Sequence, residues 1–135
     1  MKTILYVEDD GLIVHLYRSA LLRAGFQVEV AEDGLIASKA LFKSRPDLVV
    51  LDLLIPKLTG AEVIKYIRST PALKTLFVIV LSQASLADQG VAAAALGADR
   101  LLYKSKCTPA ILIATINELL GGVRPENLPP GPPSA

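Results

Sequence analysis

The alternation of short apolar segments with longer segments of helical periodicity most constrains the fold of this chain. The predicted strands are residues 4–7, 27–31, 48–51, 77–81 and 101–103. The predicted helices are residues 12–24, 35–42, 61–67, 86–96 and 109–120. Most of the apolar segments lack polar alternation, which indicates strands covered on both faces and hence a parallel sheet. Right-handed crossovers then favour a doubly wound α/β fold of five βα units.

Residues 1–122 are predicted to form one domain. A chain of 135 residues is too short for two ordinary domains, and a hydrophobic content of 52% suffices for one core. Residues 123–135 differ in character, because five of the nine prolines fall in the last eleven positions. They predict a flexible tail or linker.

Composition excludes several classes of function. A net charge of +1 argues against direct binding of nucleic acid, and the single cysteine excludes a disulfide framework. No apolar segment reaches the roughly 18 residues that a membrane span requires. The apolar run at residues 4–7 ends at three acids, unlike a signal peptide. We therefore expect a cytoplasmic protein without a membrane partner.

Polar residues follow four of the five predicted strands. Glu8, Asp9 and Asp10 follow the first strand, and Asp52 follows the third. Ser82 and Lys104 follow the fourth and the fifth; the turn after the second strand, residues 31–34, looks ordinary. Because sites in open parallel sheets form beyond the carboxyl ends of the strands, these side chains are predicted to converge.

The acids after the first strand indicate a cation site. A phosphate-binding loop there would need glycines and backbone donors, whereas carboxylates attract a divalent cation such as Mg²⁺. Asp9 and Asp52 are the direct candidates, with Glu8 behind them. The repulsion among these acids and Asp10, opposed by Lys104, predicts that Mg²⁺ stabilises the fold.

Asp52 is also a candidate nucleophile. A carboxylate can accept a phosphoryl group as an acyl phosphate. Mg²⁺ and Lys104 would neutralise the transferring oxygens, and the Ser82 hydroxyl would donate to one of them.

Motifs over roughly residues 2–121 resemble the receiver domain of two-component response regulators. These are ILYVEDD at 4–10, DLVVLDLLIPKLTG at 47–60, VLS at 80–82, GAD at 97–99 and YKS at 103–105. The spacings from Asp52 to Ser82 and to Lys104, 30 and 52 residues, are those of the family. The resemblance implies a flavodoxin-like (βα)5 fold, as in chemotaxis regulators, with strand order 2-1-3-4-5.

The resemblance also implies a role for each site residue. Asp52 is the phosphoacceptor, and Ser82 and Lys104 contact the phosphoryl group. Mg²⁺ is held by Glu8, Asp9, Asp52 and the main-chain carbonyl of Leu54. Pro56 and Gly60 shape the loop after the acceptor. The chain would not be an enzyme in the usual sense, because it catalyses only its own phosphorylation and dephosphorylation.

Three positions depart from the family pattern. Leu101 stands where an aromatic switch residue is usual, Gln83 replaces a small residue, and Ser105 replaces a proline. Tyr103 lies two residues beyond Leu101 and shares its face. Ser82, Leu101 and Tyr103 are thus the candidate switch residues.

The implied partners are a sensor histidine kinase or a histidine phosphotransfer protein. A homodimer would form through the face of the helix at 86–96, the strand at 101–103 and the helix at 109–120, which is poor in charge. Three other functions remain open. One is a flavodoxin-like cofactor binder, disfavoured by the acids after the first strand. Another is a Mg²⁺ phosphohydrolase with an aspartate nucleophile, disfavoured because such enzymes usually carry that residue on the first strand. The third is a pseudo-receiver, which binds partners without phosphorylation.

Overall fold

A computed structural model describes residues 1–82 and 97–121. Its strands are β1 (Thr3–Val7), β2 (Gln27–Ala31), β3 (Leu48–Leu51), β4 (Phe77–Ser82) and β5 (Arg100–Tyr103). Its helices are α1 (Gly11–Arg23), α2 (Gly34–Lys43), α3 (Gly60–Ser69) and α4 (Pro109–Leu120), with a 3-10 turn at Lys104–Lys106. The predicted helix at 86–96, Gln83 and the proline-rich tail at 123–135 lie outside the described residues.

The five strands form one parallel sheet in the order β2-β1-β3-β4-β5. The predicted fold class and strand order are therefore confirmed. β1 and β3 lie in the interior of the sheet, and both are almost wholly buried. β2 lies at an edge, as its alternation of polar and apolar residues indicates.

Two apolar layers cover the two faces of the sheet. Successive strand residues point to opposite faces, so Leu5 and Val49 pack into one layer while Ile4 and Val50 pack into the other. Residues of α2 and α3 belong to the first layer, and residues of α1 and α4 belong to the second. This two-sided burial explains why the strand segments are continuously apolar.

Each described α-helix begins at a capping side chain. Asp10 accepts the amides of Leu12 and Ile13, so it caps α1. Asp33 caps α2, and Thr59 forms a capping box with Glu62 at the start of α3. Thr108 caps α4, in which proline occupies the first turn. These caps fix where each helix begins, which is next to the carboxyl end of the preceding strand.

Arg68 organises the opposite, amino end of the sheet. Its guanidinium donates to the carbonyl oxygens of Gly97, Lys74 and Leu76 at 2.6–3.0 Å and pairs with Asp99 at 3.0 Å. The same Asp99 accepts the amide of Val78 at the start of β4. These bonds join the end of α3 to the beginnings of β4 and β5.

Among the described residues, no helix combines the length and the apolar character needed to cross a membrane.

Candidate functional site

The predicted site lies at the carboxyl ends of β1, β3, β4 and β5. The parallel hydrogen-bond ladder continues one residue beyond the ends of β1 and β3. The Glu8 amide donates to Ala31 O at 3.1 Å, and the Asp52 amide donates to Val7 O at 3.0 Å. The backbone of both acids is thus held by the sheet itself, so their side chains start from fixed positions.

Three carboxylates meet at this edge. Oxygens of Glu8, Asp9 and Asp52 all lie within 4.8 Å of one another. Glu8 and Asp52 are buried, with 2% and 5% of their surface exposed, whereas Asp9 is exposed. Asp10, which the sequence grouped with them, instead caps α1.

Lys104 joins this cluster from the turn after β5. Its Nζ lies 2.7 Å from Glu8 Oε1 and 2.9 Å from Asp52 Oδ2. The other Glu8 oxygen accepts the amides of Asp9 and Asp10 at 3.1 and 3.3 Å. One ammonium group therefore links the ends of three strands.

The charges of the cluster do not balance among the described residues. Burial raises the pKa of Glu8 even though Lys104 opposes the shift. Burial alone would lower the pKa of Lys104, but its bonds to Glu8 and Asp52 raise it above the ordinary value. One ammonium group therefore faces three carboxyl groups.

This charge deficit fits a divalent cation. Mg²⁺ prefers oxygen ligands and keeps several waters in its coordination shell. The three carboxylates supply the oxygens, and the exposure of Asp9 leaves solvent access on one side. The residues present thus suit the magnesium site that the sequence predicts.

The loop after Asp52 is held close to the cluster. The amide of Leu54 donates to Asp52 Oδ1 at 3.1 Å, and the amide of Gly60 donates to Leu53 O at 3.0 Å. Lys57 adopts a left-handed φ of 73°, which is costly for a residue with a Cβ. Leu54, whose carbonyl is the predicted metal ligand, has 48% of its surface exposed.

The predicted switch residues lie on β4 and β5. Ser82 is fully buried at the end of β4 and pairs in register with Tyr103. Leu101 pairs with Val80 and packs against the layer that contains α2 and α3. Leu101 and Tyr103 lie two residues apart on β5, a spacing that in a strand places side chains on the same face.

Tyr6 is a buried polar group that the sequence did not single out. Its side chain is 1% exposed and stacks edge-on against Tyr17, at 6.2 Å between ring centroids. Its hydroxyl has no hydrogen-bond partner among residues 1–82 and 97–121. Burial, and secondarily the nearby Glu8 carboxylate, raise its pKa. Sequence gave no signal for it, because tyrosine is also an ordinary strand residue.

The turn between β2 and α2 contributes more than its ordinary sequence indicated. The amide of Gly34 donates to Pro56 O at 3.1 Å, so this turn contacts the loop that follows Asp52. The local sequence Asp33-Gly34 does not indicate a contact with Pro56, which lies more than twenty residues away in the chain.

A cavity of about 650 Å³ lies away from this site, at the amino ends of the strands. Its two acids, Asp47 and Asp99, already accept the amides of Thr3 and Val78. These two acids thus hold the backbone at the starts of β1 and β4, and the three-carboxylate cluster at the other end of the sheet is the candidate functional site.

Comparison with known proteins agrees with this geometry. Residues 4–117 match the family model described as the response regulator receiver domain. The response regulator MprA of Mycobacterium sp. (strain KMS) is 36% identical over 129 residues, which are 96% of this chain. The match covers 55% of MprA, so the chain spans about half the length of that relative.

Two solved structures are similar over most of their length. One is a phosphorylated cyanobacterial phytochrome response regulator, RcpA, which is 32% identical in sequence and has a TM-score of 0.78. The match covers 88% of this chain and 93% of the RcpA chain. The other is the Mn²⁺-bound form of response regulator Rcp1, which is 30% identical in sequence and has a TM-score of 0.79. The match covers 91% of this chain and 97% of the Rcp1 chain.

Replacing Lys104 with alanine is expected to destabilise the metal-free protein. Removing one partner of a buried charge cluster typically costs about 3–5 kcal/mol, because the remaining charges are left uncompensated. The measurement is the free energy of unfolding by urea in the presence of a chelator. Lys106→Ala, in the same turn but exposed, is the control and should stay within about 0.5 kcal/mol of wild type. Equal stabilities of the two variants would contradict the role assigned to Lys104.

Proposed function

Because the chain belongs to the response regulator receiver domain family, we propose that Asp52 accepts a phosphoryl group and thereby switches the binding of partners. The observation that carries this proposal is the meeting of three carboxylates within 4.8 Å, with Lys104 at 2.9 Å from Asp52. A flavodoxin-like cofactor binder has no use for such a cluster. A pseudo-receiver would not need the complete set of acids and lysine.

The donor would be a phosphohistidine on a sensor kinase or a phosphotransfer protein in the cytoplasm. An oxygen of Asp52 attacks the phosphorus, the bond from phosphorus to the imidazole nitrogen breaks, and the freed imidazole takes up a proton. Lys104 already contacts Asp52 Oδ2, so its ammonium can follow the charge onto the phosphoryl oxygens. Ser82, at the end of β4, would donate its hydroxyl to one of those oxygens. The chemistry is limited to the chain's own phosphorylation and dephosphorylation.

The metal would be Mg²⁺, held by Glu8, Asp9, Asp52 and the carbonyl of Leu54. When bound, it supplies positive charge to the transferring phosphoryl oxygens. Glu8 and Asp9 would supply the other acidic oxygens, and the exposure of Asp9 leaves room for water. The Mn²⁺-bound form of the similar Rcp1 supports a divalent cation here.

Asp52→Asn should abolish phosphorylation. Wild type treated with a small phosphodonor and Mg²⁺ is expected to gain one phosphoryl group by intact mass, whereas the amide of the variant is not a nucleophile. Asp47→Asn is the matched control, because Asp47 precedes the same strand at its other end and should leave phosphorylation unchanged. A phosphoryl group on Asp52→Asn, or none on wild type, would refute the assignment.

Mg²⁺ should raise the melting temperature of the wild type. A ligand that binds only the folded state stabilises it by about 2.7 kcal/mol at roughly a hundred times its dissociation constant. Asp9→Ala should lose most of this increase, while Glu29→Gln, on the exposed side of β2, should keep it. Thermal unfolding with and without Mg²⁺ measures the effect. The absence of any increase in wild type would exclude the metal site.

We also propose that phosphorylation changes self-association through the face that contains β5 and α4. On this face Ile111 has 43% of its surface exposed, and the ion pair formed there by described residues, Arg100 with Glu118, is long at 3.8 Å. An exposed apolar side chain among few charges favours a protein partner.

Beryllofluoride, a phosphoryl mimic, should therefore increase the mass measured by light scattering. Ile111→Glu should remove the increase. Leu22→Glu, on α1 and equally exposed at 43%, should retain it. An unchanged wild-type mass would refute self-association.

A further inference from the structure

The first residues of two helices contact the loop after Asp52 from two sides. Gly60 begins α3, and a Cβ there would lie 2.6 Å from both Asp52 O and Leu53 Cα. Gly34 begins α2, and a Cβ there would lie 2.6 Å from Leu58 Cβ and 2.7 Å from its carbonyl carbon, and still closer to its carbonyl oxygen. Real Cβ atoms do not tolerate such distances from a backbone, so both glycines are required by close approach.

At Gly34 the requirement is one of space rather than of backbone conformation. Its φ is not in the left-handed region, whereas Gly25 and Gly97 do have positive φ. Alanine is also the better helix former. The first position of α2 would thus accept a methyl group if the loop at Leu58 were further away.

The predicted metal ligand between these two contacts has little packing of its own. Leu54 is half exposed, and its amide is bonded to Asp52 Oδ1. Its position therefore depends on the anchors on either side. On one side Gly60 N donates to Leu53 O, and on the other Gly34 N donates to Pro56 O.

We infer that Gly34 is a positioning residue for the metal and acceptor site, acting through Pro56 and Leu58 on the carbonyl of Leu54 and the carboxylate of Asp52. The inference rests on the function proposed above and adds a residue from a different βα unit. A methyl group at position 34 would push the loop outward between Pro56 and Leu58. Because Leu54 N is bonded to Asp52, the displacement would reach both metal-binding groups at once.

The chain offers a matched control in Gly11. Gly11 begins α1 directly after the capping Asp10, as Gly34 begins α2 directly after the capping Asp33. A Cβ at Gly11 would meet nothing within 4 Å. Gly34→Ala and Gly11→Ala thus make the same chemical change at the same helical position, and only one of them meets the loop.

The test measures phosphorylation of the full chain by a small phosphodonor as a function of Mg²⁺ concentration. We expect Gly34→Ala to raise the half-saturating Mg²⁺ concentration about tenfold, the scale on which residues that orient metal ligands act. The rate at saturating Mg²⁺ should stay within about twofold, because a bound cation would hold Asp52 and the Leu54 carbonyl in place and Lys104 is unchanged. Gly11→Ala should match wild type in both quantities.

If Gly34 had a purely structural role, Gly34→Ala would lower stability. It would not raise the half-saturating Mg²⁺ concentration while leaving the rate at saturating Mg²⁺ unchanged. Half-saturation for Gly34→Ala equal to that of Gly11→Ala would overturn the inference. If Gly34→Ala does not fold, Leu58→Ala loosens the same contact without a clash; an unchanged half-saturation in that variant would also overturn it. A wild type that takes up no phosphoryl group refutes the proposed function itself, and this is visible before any variant is compared.

Discussion

The contact of the Lys104 ammonium with Glu8 and Asp52 is the interaction on which the site depends. It lies where β1, β3 and β5 end, and it places a single cation between two buried carboxylates. Removing two carboxylates from water is unfavourable unless a partner compensates them. The sheet brings the acids together through backbone bonds at Glu8 and Asp52, and Lys104 makes their proximity tolerable.

Lys104 compensates the negative charge of the cluster only in part, and the remaining negative charge suits the proposed chemistry. A cluster neutralised by its own lysines would have no affinity for a divalent cation or for a transferring phosphoryl group. Here the third carboxylate, Asp9, faces solvent without the help of Lys104. The stability lost to repulsion is then recoverable by ligand binding, which couples the fold to the state of the site.

The sequence predicted much of this arrangement because its signals are local. Apolar runs such as 48–51 mark buried parallel strands, and the residue directly after each run falls at the edge of the sheet. Asp52 and Lys104 could therefore be found by position and chemistry, and the strand order followed from the family resemblance.

What sequence could not give depends on distances between remote segments. Gly34 reads as a turn residue, and its contact with Leu58 follows only from how α2 packs beside the loop after β3. The Arg68 network could not be predicted for the same reason, because Arg68 donates to the backbone carbonyls of Gly97 and Leu76 and not to their side chains. Backbone carbonyls are equivalent in sequence, and only the folded chain selects among them.

The two apolar layers give the site one further property. Leu53 and Ile55, just after the acceptor, are packed in the layer of α2 and α3, whereas Cys107, just after the Lys104 turn, packs in the layer of α1 and α4. The bond from Lys104 to Asp52 thus connects a loop packed in one apolar layer with a turn packed in the other. A change in this contact would therefore act on segments that pack in both layers.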